Sequence, residues 1–116
     1  MKHFKTGIIG TGFIGQVHIE TLRRLGNVEV TALADTFNAK EAAEKLNVPH
    51  YFTDYKEMID IMPLDTVHIC TPNNTHFEIA MYAMEHNIHV ICEKPMCITI
   101  DEARELTAKA KEKNLI

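Results

Sequence analysis

Gly10-Thr11-Gly12-Phe13-Ile14-Gly15 forms a Gly-x-Gly-x-x-Gly stretch, and the chemistry such a stretch can perform is to cradle phosphate. It follows the apolar run Gly7-Ile8-Ile9 directly and opens a segment of helical period, the context that gives three otherwise common glycines a meaning. Gly10 permits the tight turn, Gly12 lets a pyrophosphate reach the backbone, and Gly15 lets the helix pack close to a sheet. Thr11, Phe13 and Ile14 complete the loop, whose helix N-terminus offers free N–H groups and partial positive charge to the phosphates. Twenty residues beyond Gly15, Asp35 closes the run Ala32-Leu33-Ala34. A carboxylate there can accept both ribose hydroxyls of an adenosine and repels a 2′-phosphate, which favours NAD. Thr36, Asn38 and Lys40 leave NADP possible.

Two more segments carry polar chemistry. Cys70-Thr71-Pro72-Asn73-Asn74-Thr75-His76 and Cys92-Glu93-Lys94-Pro95 each follow a short apolar run. The runs that must position all these residues are Thr6–Gly10, Val28–Ala34, His50–Phe52, Thr66–Cys70 and His89–Cys92. Most are nearly continuous in apolar residues, as strands buried on both faces are. Between them lie helical patterns. In the first, Ile14, Val17, Thr21, Leu22 and Leu25 share a stripe expected to face the sheet, and Gly26 ends it as a left-handed residue. Asn38-x-x-Glu41, Thr75-x-x-Glu78 and Thr99-x-x-Glu102 have capping-box spacing. Thr53-Asp54 starts a further helix that ends before Pro63, and the last helix runs from Ile100 to Lys113, burying Ala103, Leu106 and Ala110.

Strand and helix alternating at this spacing predict right-handed βαβ units and a doubly wound parallel sheet of the α/β class. In that topology a ligand crosses the strand C-termini between strands one and four, so both polar segments open where a nicotinamide half would lie. Such Rossmann sheets commonly have six strands, and five can be counted here. The expectation is one nucleotide-binding domain over residues 1–116, with the sixth strand and a C-terminal domain missing. A bare sheet edge would then invite pairing with another chain, so a homo-oligomer is expected.

Composition bounds the partners. The 116 residues carry 12 Lys+Arg against 16 Asp+Glu, a net charge of −4. That length supports one core rather than two. The acidic balance argues against nucleic acid, whereas backbone N–H groups alone can hold a small phosphate. Three Cys without repeated spacing argue against a disulfide framework, and Cys70 and Cys92, inside apolar runs, read as small core hydrophobes of a reducing compartment. Cys92-x4-Cys97, near His68 and His76 in type only, matches no zinc pattern, so no metal is expected. The stretch after Lys2 and Lys5 is too interrupted for a signal peptide, and no run approaches the ~18 apolar residues of a membrane span. A cytoplasmic domain that binds neither membrane nor nucleic acid is the expectation.

Taken together, Gly10–Gly15, Asp35, Thr71-Pro72-Asn73 with His76, and Glu93-Lys94-Pro95 resemble the N-terminal domain of the Gfo/Idh/MocA oxidoreductases over nearly the whole chain. The Glu-Lys-Pro triplet is the specific part, since many dehydrogenases share the glycine loop. The resemblance implies an NAD(H)- or NADP(H)-dependent enzyme acting on sugars, cyclitols and related polyols at a carbon–oxygen bond. It implies that Thr71, Pro72 and Asn73 lie along the cofactor and that His76 positions the loop and helix start. It further implies that Glu93 lies close to the nicotinamide ribose, that catalytic Lys94 reaches toward the substrate oxygen, and that a cis bond precedes Pro95. Family members are much longer, and a second domain supplies most of the substrate pocket and an acid/base Asp or His. The present chain is therefore expected to bind cofactor and to be inactive alone. The alternative is a free-standing NAD(H)-binding or sensing module without turnover. Flavodoxin-like and methyltransferase domains share the alternation but usually not Asp35 together with Glu93-Lys94-Pro95.

Overall fold

The computed structural model describes residues 2–116. Five strands, β1 (Phe4–Ile9), β2 (Val28–Ala34), β3 (His50–Phe52), β4 (Thr66–Ile69) and β5 (His89–Cys92), form one parallel sheet in the order β3-β2-β1-β4-β5. The helices are α1 (Phe13–Arg24), α2 (Ala39–Leu46), α3 (Tyr55–Ile61), α4 (His76–Glu85) and α5 (Ile100–Lys113). Successive side chains of a strand point to opposite faces, and this alternation divides the core in two. Ile8 and Leu33 join Ile19 and Leu22 of α1 and Ala39 and Ala43 of α2 on one face. Ile9, Ala32 and Ala34 meet Met58 of α3, Ile79 and Ala83 of α4 and Leu106 of α5 on the other. The doubly wound architecture expected from the strand–helix alternation is the one observed.

Local differences have physical reasons. β1 begins at Phe4 rather than Thr6, because Phe4 and Lys5 pair with Val28 and Glu29, and it ends at Ile9, because Gly10 turns to φ 93°. The stripe expected to bury α1 is rotated. Gly15, Ile19 and Leu22 face the sheet, while Ile14 is 39%, Val17 40% and Leu25 60% exposed. The deciding contact is the closest one: a Cβ on Gly15 would lie 2.1 Å from the Gly10 carbonyl oxygen, so the glycine face is the only one that fits there. Gly26 does take the left-handed conformation after α1, at φ 80°.

Of the three expected capping boxes only the last forms. Thr99 Oγ1 accepts from the Glu102 N–H at 3.1 Å, and Glu102 reaches back to the N–H of Ile98 at 3.0 Å. Asn38 makes no side-chain cap; Asp35 accepts the N–H groups of Phe37 and Asn38 instead. Thr75 belongs to a 3-10 turn over Asn73–Thr75, and its hydroxyl is engaged by the Pro72 carbonyl and the Thr71 hydroxyl. Asp54, not Thr53, caps α3 by accepting from Lys56 N–H at 2.9 Å. Among the described residues no helix is long and apolar enough to cross a membrane.

Candidate functional site

A cleft of about 680 Å³ opens over the C-terminal ends of β1, β2 and β4. Its floor is Ile9, Ala34 and Cys70; one wall is Gly10–Gly12 with Thr71 and Pro72, and the other is Asp35–Phe37 with Thr53–Tyr55. This volume is in the range of small-molecule sites. The strand order reverses between β1 and β4, so the cleft lies at the switch point where open α/β sheets take ligands.

Gly12 is the N-cap of α1 and provides no side-chain hydrogen bond to the free N–H groups of the first turn. A Cβ built on Gly12 meets nothing within 4 Å, so the space before those donors is open to an incoming anion. Gly10 crosses β4 so closely that its Cβ would lie 2.8 Å from the Cys70 carbonyl. The cradle is therefore made of main chain on both sides, which is what a pyrophosphate requires.

Asp35 leaves β2 at the mouth of the cleft, already held. Its Oδ2 accepts from the Thr11 N–H at 3.0 Å and the Thr11 hydroxyl at 2.6 Å; its Oδ1 accepts from Phe37 N–H at 2.9 Å and Asn38 N–H at 3.2 Å. Burial alone would raise its pKa, but the Thr11 hydroxyl and the three N–H donors outweigh it and hold the carboxyl below its ordinary 3.8. Asp35 is thus a fixed anion at neutral pH. With the folded pKa depressed, these bonds stabilise the fold above the ordinary Asp range and are lost as pH falls below it.

The loops after β4 and β5 are joined by His76. This residue is 1% exposed, with Nε2 2.8 Å from the Thr71 carbonyl and Nδ1 2.8 Å from the Pro95 carbonyl. The Lys94–Pro95 bond is cis, as the resemblance implied. Glu93 is half-buried and contacts His18 of α1 at 2.9 Å. Lys94 is exposed and takes part in no ion pair among the described residues.

The structure therefore brings Gly10, Thr11, Gly12, Asp35, Thr71 and Pro72 onto one cleft. Gly15 lies beneath it, and Phe13, Ile14, Asn73, His76, Glu93, Lys94 and Pro95 do not line it. Thr53, Asp54, Tyr55 and Glu78 line the cleft without having been expected, Tyr55 donating to Glu78 at 3.0 Å. They follow β3 and sit on α4, and only the sheet order brings them together. His18 was also missed as a neighbour of Glu93, being 75 residues away in sequence.

Residues 4–116 match the family model for the Gfo/Idh/MocA oxidoreductase family, NAD-binding Rossmann fold. The chain belongs to that family. It is 32% identical over its whole length to a levoglucosan dehydrogenase of Pseudarthrobacter phenanthrenivorans, covering 32% of that protein. A scyllo-inositol 2-dehydrogenase (NADP(+)) of Bacillus subtilis is 34% identical over 94% of the chain and 34% of its own length. Among solved structures, a levoglucosan dehydrogenase in complex with NADH superposes with a TM-score of 0.93 at 30% identity, over 99% of this chain and 33% of that one. The chain thus spans about a third of the length of the curated relatives it matches. The open cradle at Gly12 and the anchored anion at Asp35 suit the dinucleotide that the family description names.

Proposed function

We propose that residues 1–116 are the nucleotide-binding domain of an oxidoreductase that moves hydride between a nicotinamide cofactor and an oxygen-bearing carbon of a sugar, cyclitol or similar polyol. NAD is preferred to NADP. The observation that carries the reading is Asp35: a fully hydrogen-bonded carboxylate, kept ionised, at the ribose end of a main-chain phosphate cradle. Its charge opposes a 2′-phosphate, and it lines the cleft. The substrate names of the levoglucosan and inositol dehydrogenases support a polyol.

When bound, the nicotinamide supplies the hydride acceptor or donor. The chain's own residues do the rest of what this domain contributes. The first-turn N–H groups of α1, from Phe13, Ile14 and Gly15, face the pyrophosphate, while Thr71, Pro72 and Asn73 border the path toward β4 and β5. His76 fixes the Thr71 and Pro95 carbonyls relative to each other and so aims the segment that carries Lys94. The Lys94 ammonium stabilises a developing alkoxide or relays its proton. Hydride transfer needs near-attack geometry, which one lysine alone cannot impose on a polyol. The chain by itself therefore binds cofactor without turnover.

Calorimetry with NAD+ and NADP+ tests the reading. Asp35→Ala is expected to weaken NAD+ at least about tenfold and to raise the standing of NADP+ relative to it. An unchanged ratio removes Asp35 from ribose recognition. In the complete oxidoreductase, Lys94→Ala is expected to lower kcat far more than cofactor affinity; an unaltered kcat takes Lys94 out of the chemistry.

A further inference from the structure

Two histidines have no part in the mechanism above. His18 of α1 places Nε2 2.9 Å from Glu93 Oε2 and Nδ1 2.9 Å from Nδ1 of His68 on β4. The two rings meet edge to face with centroids 5.1 Å apart. His68 is 6% exposed, and the His18 and Glu93 side chains are 19% and 31% exposed.

Donor and acceptor rules restrict where the hydrogens lie. An ionised Glu93 only accepts, so His18 Nε2 carries a hydrogen in every state that keeps this contact. With His18 neutral, its Nδ1 is the acceptor and His68 Nδ1–H donates to it. With His18 protonated, Nδ1–H donates instead and His68 changes to the Nε2–H tautomer. Both contacts survive in both states. The trio gains or loses one proton without displacing a heavy atom.

The surroundings say where that proton resides and what charge results. Burial, reinforced by His18 beside it, pushes His68 down to about 4, which keeps the His68 ring neutral near neutral pH. The thiols facing Glu93 are those of Cys70 and Cys92, pushed by burial up to about 12 and about 11, and both stay neutral. Lys94, next in sequence, is exposed. The three side chains therefore sum to −1 when both imidazoles are neutral and to zero when His18 is protonated.

We propose that Glu93, His18 and His68 form a one-proton site that discriminates the oxidised from the reduced cofactor. It rests on the reading that the nicotinamide half crosses the loops after β4 and β5. The oxidised ring carries a positive charge and the reduced ring carries none. The anionic state of the trio attracts the oxidised ring, and protonation of His18 cancels that attraction. Linkage makes the effect reciprocal: NAD+ drives the proton off His18 to solvent, and NADH lets it return. Proton uptake breaks the His68 Nδ1–H bond and makes His18 Nδ1–H and His68 Nε2–H, the one added proton coming from solvent. His18 is thus a positioning residue that acts through Glu93.

The test measures Kd for NAD+, NADH and ADP-ribose on the chain and on His18→Gln from pH 8 to pH 5, the span in which imidazoles change charge. Kd(NAD+)/Kd(NADH) of the wild type is expected to rise about three- to tenfold toward acid, with ADP-ribose reporting any change at the adenosine half. In His18→Gln the ratio is expected to be flat. Nitrogen-15 side-chain spectra of the unliganded wild type should show His68 exchanging Nδ1–H for Nε2–H as His18 takes up its proton. A constant wild-type ratio, an equal slope in His18→Gln, or a His68 tautomer that never changes overturns the inference, and the spectra decide it should the variant fail to fold. If none of the three ligands binds, the nucleotide reading itself falls, a result distinct from binding with a pH-invariant ratio.

Discussion

The side of the cleft made by Gly10–Gly15 and Asp35 and the loops after β4 and β5 are built from different materials. At Gly10–Gly15 the shape is set by main chain, with the Gly10 and Gly15 backbones in contact and the Asp35 carboxylate accepting four internal hydrogen bonds. At Thr71–His76 and Glu93–Pro95 the shape is set by side chains, chiefly His76 and His18, and Lys94 stands free of ion pairs among the described residues. The lesson is that one side of the cleft is shaped by main chain, while the segment that carries Lys94 is held in place by side chains. At Gly10 and Gly15 the backbone leaves no room for an added atom; a side-chain truss tolerates substitution at graded cost.

That contrast can be broken most strongly at the glycines. Gly15→Ala forces a Cβ to 2.1 Å from the Gly10 oxygen and is expected to cost about 3 kcal/mol in urea unfolding. Gly12→Ala meets nothing within 4 Å, so its urea midpoint should stay put while NADH binding weakens at least about tenfold. If both variants lose stability equally, the distinction between packing glycine and ligand glycine is wrong. His76→Phe comes next: it leaves whichever of the Thr71 and Pro95 carbonyls takes the imidazole N–H without its buried donor, an expected loss of about 2 kcal/mol. ADP-ribose affinity should change little, because the His76 ring itself does not line the cleft. A large loss of ADP-ribose binding would merge the two regions into one. The smallest effect belongs to Thr99→Ala, which removes the α5 cap for about 1 kcal/mol by thermal melting and leaves nucleotide affinity alone.

The sequence was most legible where the determinants are local. β2, β3 and β5 have the bounds their apolar runs imply, and the glycine loop sits between β1 and α1 because a turn and a helix start are written in neighbouring residues. The inward face of α1 matches its apolar stripe at Leu22 but not at Ile14, Val17 or Leu25, because the contact that decides the rotation is the missing Cβ of Gly15. The caps at Asn38 and Thr75 fail because Asp35, three residues before Asn38, takes its N–H, and Thr71, four residues before Thr75, engages its hydroxyl, partners that stand outside the Asn38-x-x-Glu41 and Thr75-x-x-Glu78 patterns. The cleft positions of Tyr55 and Glu78, and the pairing of His18 with Glu93, depend on sheet order and on the rotation of α1. Those are properties of the assembled fold.

The four donors that hold Asp35 also bear on time. A site whose recognition group is already immobilised has no loop to arrange when its visitor arrives, so capture should proceed at a rate set by encounter and water release. Affinity differences among dinucleotides would then be written almost entirely in how long each one stays.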